Sequence, residues 1–63
     1  MVDLEELLIE LGAHGATHGE LYLSQGAGDE EEGRFYALVR GEQREISEVQ
    51  FNALRDRGRI PVV

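Results

Sequence analysis

The apolar positions nearest the start of the chain fall on one helical stripe. Leu4, Leu7, Leu8 and Leu11 recur at i, i+3, i+4 and i+7, which predicts a helix over residues 4–11. Its start carries a chemical mark. Asp3 and Glu6 have the spacing of a capping box, in which the Asp3 carboxylate accepts the Glu6 N–H and Glu6 reaches back; Val2 and Leu7 have the spacing of a hydrophobic staple. Glu5 and Glu6 complement the positive end of the helix dipole, and Gly12 stands where a left-handed residue ends a helix.

Past Gly12 the period changes. The glycines at 12, 15 and 19 oppose any helix and predict a loop. Residues 20–25 then alternate, with Leu21 and Leu23 on one side and Tyr22 on the other, as a short strand does. Residues 26–33 (Gly-Ala-Gly-Asp-Glu-Glu-Glu-Gly) have nothing to bury and predict an exposed, mobile hairpin loop. Residues 34–40 form the strongest strand pattern. Phe35, Ala37 and Val39 face one way and Tyr36 and Leu38 the other, so both faces are apolar and the strand is central.

A two-residue turn at Gly41-Glu42, with glycine at the first central position, returns the chain as a third strand over residues 43–46. The second helix repeats the grammar of the first. Ser47 and Gln50 form a capping box, and Ile46 and Phe51 its staple. Glu48 opens the helix, Arg55 and Arg57 close it, and Gly58 is the expected left-handed stop. Residues 60–63 are strand-like, and Pro61, lacking an N–H, confines them to an edge.

The element order is α-β-β-β-α. It predicts an α+β fold of two layers: a three-stranded antiparallel meander, an N-terminal and a C-terminal helix on one face, and a short C-terminal edge strand. The expected core is Leu4, Leu7, Leu8, Leu11, Leu21, Leu23, Phe35, Ala37, Val39, Ile46, Phe51, Leu54 and Val62. Tyr22, Tyr36 and Leu38 fall on the other sheet face. Left uncovered, that face is an apolar-aromatic patch and a candidate interface, for a partner or for self-association.

Length limits what such a fold can do. Sixty-three residues make one domain near the lower limit for folding without staples, and the absence of cysteine excludes disulfides and thiolate metal sites. An enzyme-sized pocket does not fit easily inside it. The opening Met-Val-Asp-Leu-Glu-Glu has no secretory signal features, and no apolar run approaches the roughly 18–20 residues of a membrane span. A cytoplasmic protein with no membrane partner is expected. Basic residues are all arginine, which fits the codon usage of a GC-rich prokaryotic genome or, alternatively, halophilic adaptation.

Charge is distributed unevenly. Residues 1–33 hold nine carboxylates and no basic side chain, while residues 34–63 hold six arginines against four acids; the halves carry −9 and +2 within a total of −7. The field of such a chain attracts a basic partner and repels nucleic acid.

Candidate chemistry is sparse. His14 and His18 could give two imidazoles to zinc or nickel, but the glycines around them oppose the helix that makes an i, i+4 pair useful, and two ligands do not complete a structural site. No metal is therefore assigned, and no cofactor. Asp29, Glu30, Glu31 and Glu32 lack the spacing of a calcium loop and read as a solvated tip. Arg55, Arg57 and Arg59 suit a helix C-terminus, with Arg59 expected to pair with the acidic first helix. No nucleophile-base pair, phosphate-binding loop or H-E-x-x-H spacing points to catalysis.

The expected function is thus a non-catalytic acidic interaction module, an adaptor or inhibitor that binds a basic protein. Tyr22, Tyr36 and Leu38 would supply the contact, and Glu5, Glu10, Glu20, Asp29, Glu30, Glu31 and Glu32 the steering charge. One alternative is an anionic mimic of nucleic acid, of the kind phages encode, which needs the acids of the first helix and of residues 29–32 on one surface. Another is a small structural subunit of a larger assembly.

Overall fold

The computed structural model describes residues 3–17 and 19–63. Its elements are α1 (Leu4–Glu10), β1 (Leu21–Gln25), β2 (Phe35–Val39), β3 (Glu42–Ile46) and α2 (Glu48–Asp56), the predicted α+β order. The strands form an antiparallel meander in the order β1-β2-β3, with Leu21 opposite Val39, Leu23 opposite Ala37, and Ile46 opposite Phe35.

Both helices start as their caps dictate, with one difference. At α2 the capping box is complete: Ser47 Oγ accepts the Gln50 N–H at 3.1 Å, and Gln50 Oε1 accepts the Ser47 N–H at 2.9 Å. At α1 the Asp3 carboxylate accepts the N–H groups of Glu5 at 3.1 Å and Glu6 at 3.3 Å, but among the described residues no bond returns from Glu6. Val2, half of the predicted staple, lies outside the described residues. The end of α1 is a Schellman motif around Gly12 (φ +71°), with Gly12 N–H donating to the Ile9 carbonyl and Ala13 N–H to that of Leu8.

Two turns differ from the sequence reading. The β2–β3 turn is Arg40-Gly41, not Gly41-Glu42, and both residues have positive φ (+48° and +85°), the signature of a type I′ hairpin. Glu42 consequently joins β3, and Ile46 comes to lie beside Phe35 at the Phe51 end of the core. At the end of α2, Gly58 does not take the left-handed conformation; Arg59 does, with φ +55°. Gly58 is required for space instead, since a Cβ there would stand 2.8 Å from the Leu54 carbonyl oxygen.

The buried cluster contains Leu7 and Leu11 from α1, Ala13, Leu21 and Leu23 from β1, Ala37 and Val39 from β2, Ile46, and Phe51 and Leu54 from α2. Its strand residues are the alternate positions of a single sheet face, joined there to side chains from both helices. Phe35 and Phe51 stack tilted with ring centroids 4.7 Å apart, and the Arg55 guanidinium lies 5.5 Å from the Phe51 ring centre. Leu4, Leu8 and Phe35 are partly buried against the cluster, as are Ala16 and Ile60, which the sequence reading did not place there.

The C-terminal segment runs along the free side of β1. Leu23 N–H donates to the Pro61 carbonyl and Val63 N–H to the Leu23 carbonyl, both at 2.8 Å, in a parallel bridge centred on Leu23 and Val62. β3 is parallel to β1 through the two antiparallel pairings, so α2 carries the chain from one sheet edge to the other across the core face. Val62 therefore occupies the outermost edge and is 43 % exposed, not a core residue as predicted.

Candidate functional site

The sheet has a second face, and the register decides what is on it. Tyr22 and Ser24 of β1, Tyr36 and Leu38 of β2, and Gln43 and Glu45 of β3 alternate with the core residues and so project away from them. Tyr22 is directly opposite Leu38, and Tyr36 stands between Ser24 and Glu45. None of these side chains belongs to the buried cluster that holds both helices. Tyr22 and Leu38 are half-buried.

Tyr36 is different. It is only 9 % exposed although it lies outside the buried cluster that holds both helices. It serves this face as a foundation, and the accessible part of the patch is Tyr22 with Leu38. Gln43 and Glu45, absent from the sequence-level site, complete its polar border. The period-two pattern of β3 carried that signal once the turn at Arg40-Gly41 fixes the register.

The carboxylates divide into three groups. Glu5 and Glu10 are exposed on α1, and Glu5 Oε1 is 4.0 Å from the His14 imidazole, itself exposed. Asp29, Glu30, Glu31 and Glu32 are exposed on the β1–β2 connection, which is built from turns closed by the Gly28 carbonyl to Glu31 N–H and the Glu31 carbonyl to Arg34 N–H. Glu20 is engaged internally. Its carboxylate accepts from Arg40 Nε at 2.8 Å and from the Thr17 hydroxyl, and these bonds, Thr17 first, hold its pKa below the ordinary value.

The first two groups sit at opposite ends of the sheet. The α1 C-terminus is tied to the Leu21–Val39 end by Arg40, whose guanidinium donates to the Gly12 carbonyl at 3.0 Å. The acidic connection leaves from Gln25 and returns at Phe35, four strand steps away, or about 13 Å.

Arg55 pairs with Asp56 at 2.9 Å, which raises the arginine pKa and lowers that of the aspartate. Among the described residues no ion pair joins Arg59 to the acidic helix, because the left-handed Arg59 lies in the turn that leads into the edge segment. No three His, Asp or Glu side chains converge on a common point among the described residues; His18 lies outside them. No helix among them is long and apolar enough to cross a membrane.

The chain matches no family model, no curated protein and no solved structure.

Proposed function

We propose that this protein is a non-catalytic, acidic interaction module that acts in the cytoplasm by binding a basic protein. The observation that carries this reading is the Tyr22–Leu38 pair on the sheet face opposite the helices. An aromatic and an aliphatic side chain, half-exposed over a buried tyrosine and bordered by Ser24, Gln43 and Glu45, have the make-up of an anchor with a polar rim. The exposed carboxylates of α1 and of residues 29–32 raise the rate of encounter with a positively charged partner. Their location at opposite ends of the sheet supports contact through the central face in preference to one continuous phosphate-like surface.

Capture from lysate on immobilised protein, at about 0.1 M and about 0.5 M salt, tests the reading, since screening removes exposed charge attraction over that range. A basic protein retained at both salts by the wild type and lost from Leu38→Glu is the expected result. Retention by Leu38→Glu, with loss when residues 29–32 are replaced by their amides, would sink it in favour of phosphate mimicry.

A further inference from the structure

β3 is the open edge of the sheet. Among the described residues its only strand partner is β2, and residues 42–45 are exposed along their length. The two-residue turn makes Val39 and Glu42 a hydrogen-bonded pair, so the peptide groups of Glu42, Arg44 and Ile46 turn toward β2. Those of Gln43 and Glu45 point outward, with no proline or bulge to block them. Charges on an edge strand normally discourage pairing. Here their order, Glu42-Gln43-Arg44-Glu45, makes one pairing attractive.

We infer that β3 pairs antiparallel with β3 of a second copy about a two-fold axis at Gln43, giving a continuous six-stranded sheet. Side chains keep their faces only if paired residues share parity, which leaves few registers. Centring on Arg44 sets arginine against arginine, centring on Glu42 or Glu45 sets glutamate against glutamate, and centring on Gln43 sets Glu42 against the second copy's Arg44, twice. Within one chain the same two side chains already approach to 3.3 Å, so their charged ends share one face of the strand. The edge also lies in the half of the chain that carries +2, outside the strongly acidic residues 1–33 of a chain of net charge −7. In the dimer the Tyr22–Leu38 faces of both copies lie on one side of a common sheet. The inference does not depend on a basic partner existing.

Sedimentation equilibrium of the intact protein, from about 10 μM to about 1 mM, tests it in the range where weak dimers populate. The wild type is expected to dimerise. Gln43→Pro removes an outward N–H, none that faces β2, and is expected to be monomeric with an unchanged circular dichroism spectrum. Glu42→Arg and Arg44→Glu each turn both attractive contacts into repulsive ones and are expected to weaken the dimer by roughly tenfold or more. An equimolar mixture of those two variants sets a cationic strand against an anionic one and is expected to recover it. A wild type still monomeric at the highest concentration overturns the inference, including the case in which the edge accepts a strand of another protein. So does a dimer indifferent to Gln43→Pro in a folded chain, or a mixture no tighter than its components.

Discussion

Arg40 is bonded to Glu20 twice: Nε donates to the carboxylate and the backbone N–H to the Glu20 carbonyl, each at 2.8 Å. This double link holds an arginine at φ +48°, where a turn of this type ordinarily prefers asparagine or glycine. The same guanidinium reaches the Gly12 carbonyl, so one side chain joins the end of α1, the entry to β1 and the β2–β3 turn.

The link gives stability a pH dependence. Thr17 and Arg40 depress the folded-state pKa of Glu20 below its ordinary 4.5, so the folded protein binds this proton less readily than the unfolded chain. The contribution is fully present above that ordinary value and fades as pH falls through the lower, folded one. Thermal melts of wild type and Glu20→Gln should therefore differ near neutrality, with the wild type more stable, and converge as the solution is made acid. Parallel curves down to about pH 3 would remove Glu20 as the cause, since no depressed carboxylate would then be titrating.

The end of α2 gives a prediction that separates space from backbone conformation. Gly58→Ala places a Cβ 2.8 Å from the Leu54 carbonyl, and should cost about 1–3 kcal/mol although Gly58 is not left-handed. Arg59→Asn, at φ +55°, should be neutral or stabilising by up to about 1 kcal/mol, because asparagine tolerates that conformation better. Urea titrations of the two variants provide the comparison. A destabilising Arg59→Asn would mean that the arginine side chain itself holds the turn.

What could be read from the sequence follows from how far each determinant acts. The caps at Asp3 and Ser47 and the stripe of Leu4, Leu7, Leu8 and Leu11 are local, and they specify their helices directly. The turn at Arg40-Gly41 depends on bonds to Glu20 and Gly12, distant in the chain, so local turn preference placed it one residue late. Val62 has the apolarity of a core residue, but its backbone is what β1 recruits, and the side chain follows to an edge with no strand beyond it among the described residues. Ala13 is 1 % exposed because the Schellman motif folds it under α1, and its small size gave no hydrophobic signal. Tyr36 falls on the far face, as its alternation with Phe35 and Ala37 predicts, but alternation alone carries no sign that it is 9 % exposed there while Leu38 is half-buried.

The thin core makes the chain sensitive at few positions. A protein of this length has roughly 3–9 kcal/mol of total stability. Leu54 is fully buried where α2 crosses the sheet, and Leu54→Ala should remove about 2–5 kcal/mol, leaving a large unfolded fraction at room temperature. Val62→Ala, at the exposed edge, should cost well under about 1 kcal/mol. Far-ultraviolet circular dichroism distinguishes them, and equal losses would mean that Val62 is packed more deeply than its 43 % exposure implies.

The far sheet face is tested by keeping Tyr36 apart from its neighbours. Tyr36 is nearly buried, so Tyr36→Ala should lower the melting temperature as a cavity does, and any loss of binding would be confounded with unfolding. Tyr22 and Leu38 are half-buried and lie outside the core cluster, so Tyr22→Glu and Leu38→Glu should retain most of the folded signal while placing a charge on the patch. If that face anchors a partner, both glutamate variants lose binding by about 2 kcal/mol or more, a hot-spot effect, and the loss persists at high salt. Charge variants of Asp29–Glu32, by contrast, should slow association and do so only at low salt. Comparing association rates with dissociation rates for the two classes separates anchor from steering. Glutamate variants that slow association alone would assign the face no anchoring role.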